Sequence, residues 1–163
     1  MYRCYTRDMP TGSRSKEAFH AGRDAGLQQR GPLAEIFEQR EQFYREILDS
    51  LAEGVLITDK ESRIVYASAR MKELSGYDPA ELLGRISYEV LSPQKNWGNM
   101  RRRLALRLSG KEENYEHELI TKGGGSSWIS VKATPYRDGK GNILGTVGAL
   151  SCIDRQKFLE QEN

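Results

Sequence analysis

Cysteine is almost missing: Cys4 and Cys152 are the only two in 163 residues. Two cysteines this far apart build neither a disulfide framework nor a metal cluster. No apolar run approaches the roughly 20 residues that span a bilayer. The opening stretch, MYRCYTRDMPTGSRSKEAF, has no apolar segment of the kind a secretory signal needs. The net charge of +2 is too small to argue for nucleic acid by itself. Nucleophile elbow, phosphate loop and metal-ligand spacing are all absent. Gly123-Gly124-Gly125 is not followed by a helix start, so it reads as a hairpin turn and not an anion cradle. The carboxylates sit on turns or solvent faces, with no matched acid and base pair. These absences argue against an enzyme and place the chain in a reducing cytoplasm, with Cys152 a small packed side chain between Ser151 and Ile153.

What is present fits one soluble domain with extensions: 29% charged and 37% hydrophobic residues in 18.5 kDa. The organising stretch is 54–69, GVLITDKESRIVYASA. Val55, Leu56, Ile57 and Thr58 form one β-branched, apolar run, and Ile64, Val65 and Tyr66 form a second. The five residues between them, 59–63, offer no side chain suited to a core and are enough for a hairpin.

Residues 1–31 read as a polar, flexible leader. Residues 32–52 form an amphipathic helix opened by Pro32. Leu33, Phe37, Arg40, Tyr44, Ile47 and Leu51 follow alternating steps of three and four, and Ile36, Phe43 and Leu48 widen the face. A face this wide predicts contact with a second copy, through Leu33, Phe37, Tyr44, Ile47 and Leu51. Short helices are expected over 68–77 and 79–84, the second capped by Asp78. A longer one is expected over 97–109, with Trp97, Met100, Leu104 and Leu108 as its apolar stripe and its arginines on solvated faces. Three strands follow: 115–122, 128–134 ended by Pro135, and 143–153. Asp154 is placed to cap a final helix.

The order of these elements, with the stretches GVLITDKESRIVYASARMKELSGYDPAELLGR and YEHELITKGGGSSWISVKATPYRDGKGNILGTVGALSCIDRQK, resembles a PAS domain over about residues 43–157. The resemblance implies an α+β fold: a five-stranded antiparallel sheet in the order 2-1-5-4-3, with helices over one face enclosing a pocket. It also implies a sensory or dimerisation module whose final helix, 154–163, starts a connector to an output domain. That output would be a histidine kinase, a cyclic-di-nucleotide enzyme or a transcription regulator. The sequence departs from the family pattern twice. Ser68-Ala69 stands where Asn-Pro is common, and Cys152-Ile153-Asp154 stands where Asp-Ile-Thr is common.

By strand alternation, Leu56, Thr58, His117, Leu119, Ile129, Val131, Ala133, Thr146 and Leu150 should face that pocket. Met100 and Leu104 should close it from the long helix. No charged residue is expected among them, so an anionic ligand would lack a partner. Flavin photochemistry of the light-oxygen-voltage kind needs a cysteine where this chain has Ser87 in Gly84-Arg85-Ile86-Ser87, and a hydroxyl cannot form the sulfur adduct. Haem would need an imidazole, and His117 is the one histidine in the region; its simplest role is a neutral ring with its nitrogens satisfied locally. No cofactor is expected, and an unknown small ligand stays open. Three functions remain: a dimeric sensory module, a ligand-free interaction module and, behind these, a haem- or flavin-binding redox or gas sensor.

Overall fold

The computed structural model describes residues 32–162; the leader expected over 1–31 lies outside them. These residues divide into two units, 32–48 and 49–162.

The first unit is most of helix α1 (Pro32–Ser50). Its surface carries pairs four residues apart, Arg45 with Glu41 at 2.7 Å and Gln42 with Glu46 at 3.0 Å, spacings that stabilise an isolated helix modestly. Ile36, Phe43, Tyr44 and Ile47 are exposed, as is Leu51 just beyond the helix. The side chains of Leu33 and Phe37 lie outside the described residues.

The second unit is built on one antiparallel sheet. Its strands are β1 (Gly54–Asp59), β2 (Ile64–Ala67), β3 (Glu113–Ile120), β4 (Ser126–Arg137) and β5 (Ile143–Cys152), in the order β2-β1-β5-β4-β3. The expected sheet is therefore present. The β1–β2 turn is held by Asp59, whose Oδ1 accepts from the amides of Glu61 and Arg63 at 3.0 and 2.8 Å. Ser62 takes a left-handed φ of 67° in this turn and is buried. The expectation that 59–63 stays out of the core fails at that residue.

Pro135 does not end β4, which pairs with β5 through Arg137. The reason is which edge the proline faces. Trp128 accepts from the amide of Ile153 across β5, so the even-numbered positions bond toward β5 and the odd ones toward β3. Pro135 is odd, and β3 pairing stops at Ala133. Its missing donor therefore meets an open edge. Gly145 is required by close approach: a Cβ there would lie 1.9 Å from the Thr58 carbonyl oxygen.

Between β2 and β3 lie α2 (Met71–Ser75), α3 (Pro79–Leu82), α4 (Ser87–Leu91) and α5 (Trp97–Leu108). The first is shorter than 68–77 because Ser68 is fully buried, with its Oγ accepting from the Val55 amide at 2.9 Å. The Asp78–Glu81 capping box opens α3 as its sequence suggests. No periodic signal predicted α4. Ile64, Met71, Leu82, Leu119 and Ile129 are the most deeply buried apolar side chains, and they join hairpin, short helices and sheet into one core.

Helix α6 (Asp154–Gln161) leaves from the end of β5. Asp154 does not cap it. Its carboxylate instead accepts from Ser127 Oγ at 2.7 Å and from the Trp128 amide at 2.6 Å, both on β4. Lys157 pairs with Glu116 on β3 and lies 5.5 Å from the centre of the Trp128 ring. Cys152 is half-buried beside Ser127, and it is not a free thiol, so the expectation of a simple packed sulfhydryl is not met.

Candidate functional site

The inner face of the sheet and helices α4 and α5 line a partly open cavity of about 90 Å³. That is well below the roughly 300–1,000 Å³ of drug-sized ligand pockets. Register explains where the space comes from. Glu113 pairs with Ala133, and Ala133 pairs with Gly148, which pairs with Leu56. This row crosses the middle of the sheet with its two smallest side chains. A Cβ on Gly148 would meet nothing closer than 3.6 Å, so there is room above the strand.

All the sequence-predicted pocket residues line this cavity except Leu104. Leu56 and Thr58 come from β1, His117 and Leu119 from β3, Ile129, Val131 and Ala133 from β4, Thr146 and Leu150 from β5, and Met100 from α5. Leu104 is only half-buried. The helix presents Met100 and Arg107, not a Met100–Leu104 stripe, as its buried positions.

That rotation overturns the expectation of an uncharged wall. Arg107 lines the cavity with its side chain 9% exposed. Its Nη1 donates to Glu113 Oε2 at 2.9 Å, and its Nε donates to Thr146 Oγ1 at 3.3 Å. Arg103, one turn earlier, donates to the other oxygen of Glu113 at 2.9 Å and stacks 4.0 Å from the centre of the Tyr115 ring. Sequence reasoning missed Arg107 because helical periodicity classes arginine as solvated. The signal that would have found it is Glu113, which continues the Tyr115–His117–Leu119 alternation back by two residues and so falls on the inner face.

Other hydroxyls were missed too. Ser62 and Ser87 line the cavity and share a hydrogen bond of 2.7 Å. Ser92, at the end of α4, sits 2.7 Å from His117 Nε2. Tyr88 and Tyr115 complete the polar part of the wall. Burial pushes the Tyr115 phenol above its usual pKa, so it stays a protonated donor at neutral pH. Burial, and then the Arg103 charge, push His117 below the ordinary imidazole value, so its ring is neutral. Among the described residues, no group of three His, Cys, Asp or Glu side chains is placed to hold a metal ion, and no helix is long and apolar enough to cross a membrane.

A family model described as the PAS fold matches residues 42–153. A sensor histidine kinase, TmoS of Ectopseudomonas mendocina, is 28% identical over 93 residues, covering 56% of this chain and 10% of the kinase. The hypoxia-inducible factor 1-alpha of Oncorhynchus mykiss is 28% identical over 101 residues, 60% of this chain and 13% of that protein. The chain thus spans about a tenth of the length of these curated relatives. Among solved structures, the PAS domain of an HTR-like protein from Haloarcula marismortui superposes with a TM-score of 0.65 at 15% identity, covering 76% of this chain and all of that one. At this identity the likeness concerns the fold alone.

Proposed function

Because this chain belongs to the PAS family, we propose that it is the sensory module of a larger signalling protein, holding a small ligand inside the sheet and passing its state to an output domain. The observation that carries the reading is the cavity itself: a partly open space lined by apolar side chains together with Arg107, His117, Tyr115 and hydroxyls. Few convergent polar groups in a mostly apolar hollow are what fixes a small ligand's orientation. The size suits a small molecule. His117 Nε2 is already engaged by Ser92, and Ser87 by Ser62.

The relay would run through α6. Its root is bonded to Ser127 and Trp128, and Lys157 is paired with Glu116, which neighbours His117 on β3. A shift of β3 or β4 on ligand entry therefore reaches the exit helix through charged contacts. The output is proposed to be a histidine kinase, as the relative TmoS is described, with transcription regulators and cyclic-di-nucleotide enzymes as the other classes. The exposed Ile36, Phe43, Tyr44, Ile47 and Leu51 support pairing with a second copy, and a strict monomer in light scattering at high concentration would count against it.

A second reading, a ligand-free interaction module, is favoured by the way the cavity's hydroxyls pair with one another. Native mass spectrometry separates the two. A small molecule that co-purifies, and is lost in Ala133→Val, supports the sensor; a bare chain after a metabolite thermal-shift screen without hits supports the interaction module.

A further inference from the structure

The charge beside the cavity does not balance. Glu113 is the one carboxylate that receives both Arg103 and Arg107, so the cluster carries two positive charges against one negative. Among the described residues no second carboxylate pairs with either guanidinium. Arg103 Nε is buried without a hydrogen-bond partner. The neighbouring titratable groups do not repair the deficit. His117 is neutral, the Tyr115 phenol is protonated, and Glu118 sits near Lys95 at 3.9 Å. Arg107 is paired with Glu113, so the surplus positive charge falls on Arg103, whose side chain is 27% exposed, and an anion in the cavity would balance it.

The empty space lies where an anion would have to sit. Ala133 and Gly148, which create it, are in register with Glu113. Thr146 Oγ1 is on Arg107, and Tyr115, whose ring stacks on Arg103, lines the same cavity as Arg107. Glu113 and Thr146 use only part of the arginine's donor fork. Leu56, Val131 and Leu150 supply aliphatic lining beside this cluster, and His117, Ser92 and Thr58 supply further polar lining. We propose that the cavity binds a small aliphatic monocarboxylate, its head group held by Arg107, Thr146 and the Tyr115 hydroxyl and its short tail among Leu56, Val131 and Leu150. This rests on the reading of the cavity as a ligand site and names the ligand's class. A single negative charge neutralises the cluster, and a second would exceed it. Bidentate pairing of a carboxylate with a guanidinium supplies both strength and orientation.

The test titrates the 163-residue chain with acetate, propionate and butyrate, and in parallel with ethanol, 1-propanol and 1-butanol, following the methyl resonances of Leu56, Val131 and Leu150. We expect saturable shifts with at least one acid, binding at least tenfold tighter than the alcohol of the same carbon number. Arg107→Gln should abolish the preference. Glu113→Gln, which removes the competing negative charge and leaves the cluster more positive, should tighten the acid several-fold. The His117 ring should titrate at higher pH with the acid bound than without it. Alcohols binding as well as acids would overturn the proposal and leave the ligand cavity standing. Methyls that respond to neither series would overturn both. Should Arg107→Gln fail to fold, Glu113→Gln decides alone, and unchanged or weaker acid binding in it refutes the proposal.

Discussion

Replacing Glu113 by glutamine tests whether the arginine pair is as buried as its surroundings indicate. The substitution keeps shape and one carbonyl acceptor, but it leaves Arg107 and Arg103 facing each other without a counter-charge. Their side chains are 9% and 27% exposed, and that of Glu113 is 11%. Removing one partner of a buried ion pair costs about 3–5 kcal/mol. Arg103 is partly solvated and its share is screened, so the lower end applies, about 3 kcal/mol. For a domain of roughly this size, that corresponds to a fall in melting temperature of about 12 °C. Differential scanning calorimetry reads it directly, at two ionic strengths because a buried cluster is little screened. The triple variant Arg103→Met, Arg107→Met, Glu113→Leu should recover to within about 1–2 kcal/mol of the parent, since apolar groups of similar volume replace buried ions at little cost. A Glu113→Gln protein melting within 2 °C of the parent would refute the argument, because only a solvated pair is that cheap to break.

Three further outcomes follow from other parts of the molecule. Gly145→Ala should unpair β1 from β5 locally or prevent folding, since its Cβ meets the Thr58 carbonyl at 1.9 Å; a circular dichroism melt indistinguishable from the parent would contradict the close approach. His117 has a folded-state pKa depressed from 6.5 by burial and by Arg103, so the unfolded chain takes up the proton first. Stability should therefore fall as pH drops below about 6.5 and level off once the folded ring also protonates, and His117→Asn should flatten that part of the denaturation profile. Asp154→Ala removes acceptors from Ser127 and Trp128; we expect about 1–3 kcal/mol of local destabilisation, read as faster hydrogen exchange at the Trp128 amide with β1 and β2 unaffected.

Much of this architecture was legible from short-range chemistry. The hairpin over 54–69 declared itself through two β-branched runs around a polar turn, and strand alternation from Tyr115 to Leu119 put His117 on the inner face. Local patterns failed where a distant residue decides. Arg107 is buried because Glu113 meets it across a turn and Thr146 meets it from a strand 39 residues on; nothing within the helix says so. Pro135 reads as a strand stop until the length of β3 is known, since only then is it clear that the proline faces an open edge. Helix α4 is five residues long, too short to show a period, and its formation depends on packing. Asp154 has the composition of a helix cap, yet the Trp128 amide and Ser127 hydroxyl compete for its carboxylate and win.

The order of the sheet constrains how this protein can be made. Of the five strands, β5 is the last to emerge during synthesis, yet it lies between β1 and β4. The β1–β2 hairpin and the β3–β4 ladder can each form beforehand, but they have no contact along a shared edge until β5 arrives. Gly54 must then find Leu150, nearly a hundred positions later, so closure is a long-range and comparatively slow event. A ribosome stalled before residue 143 should hold two separate hairpins with sticky margins, a species that chaperones would recognise and that the finished domain never presents.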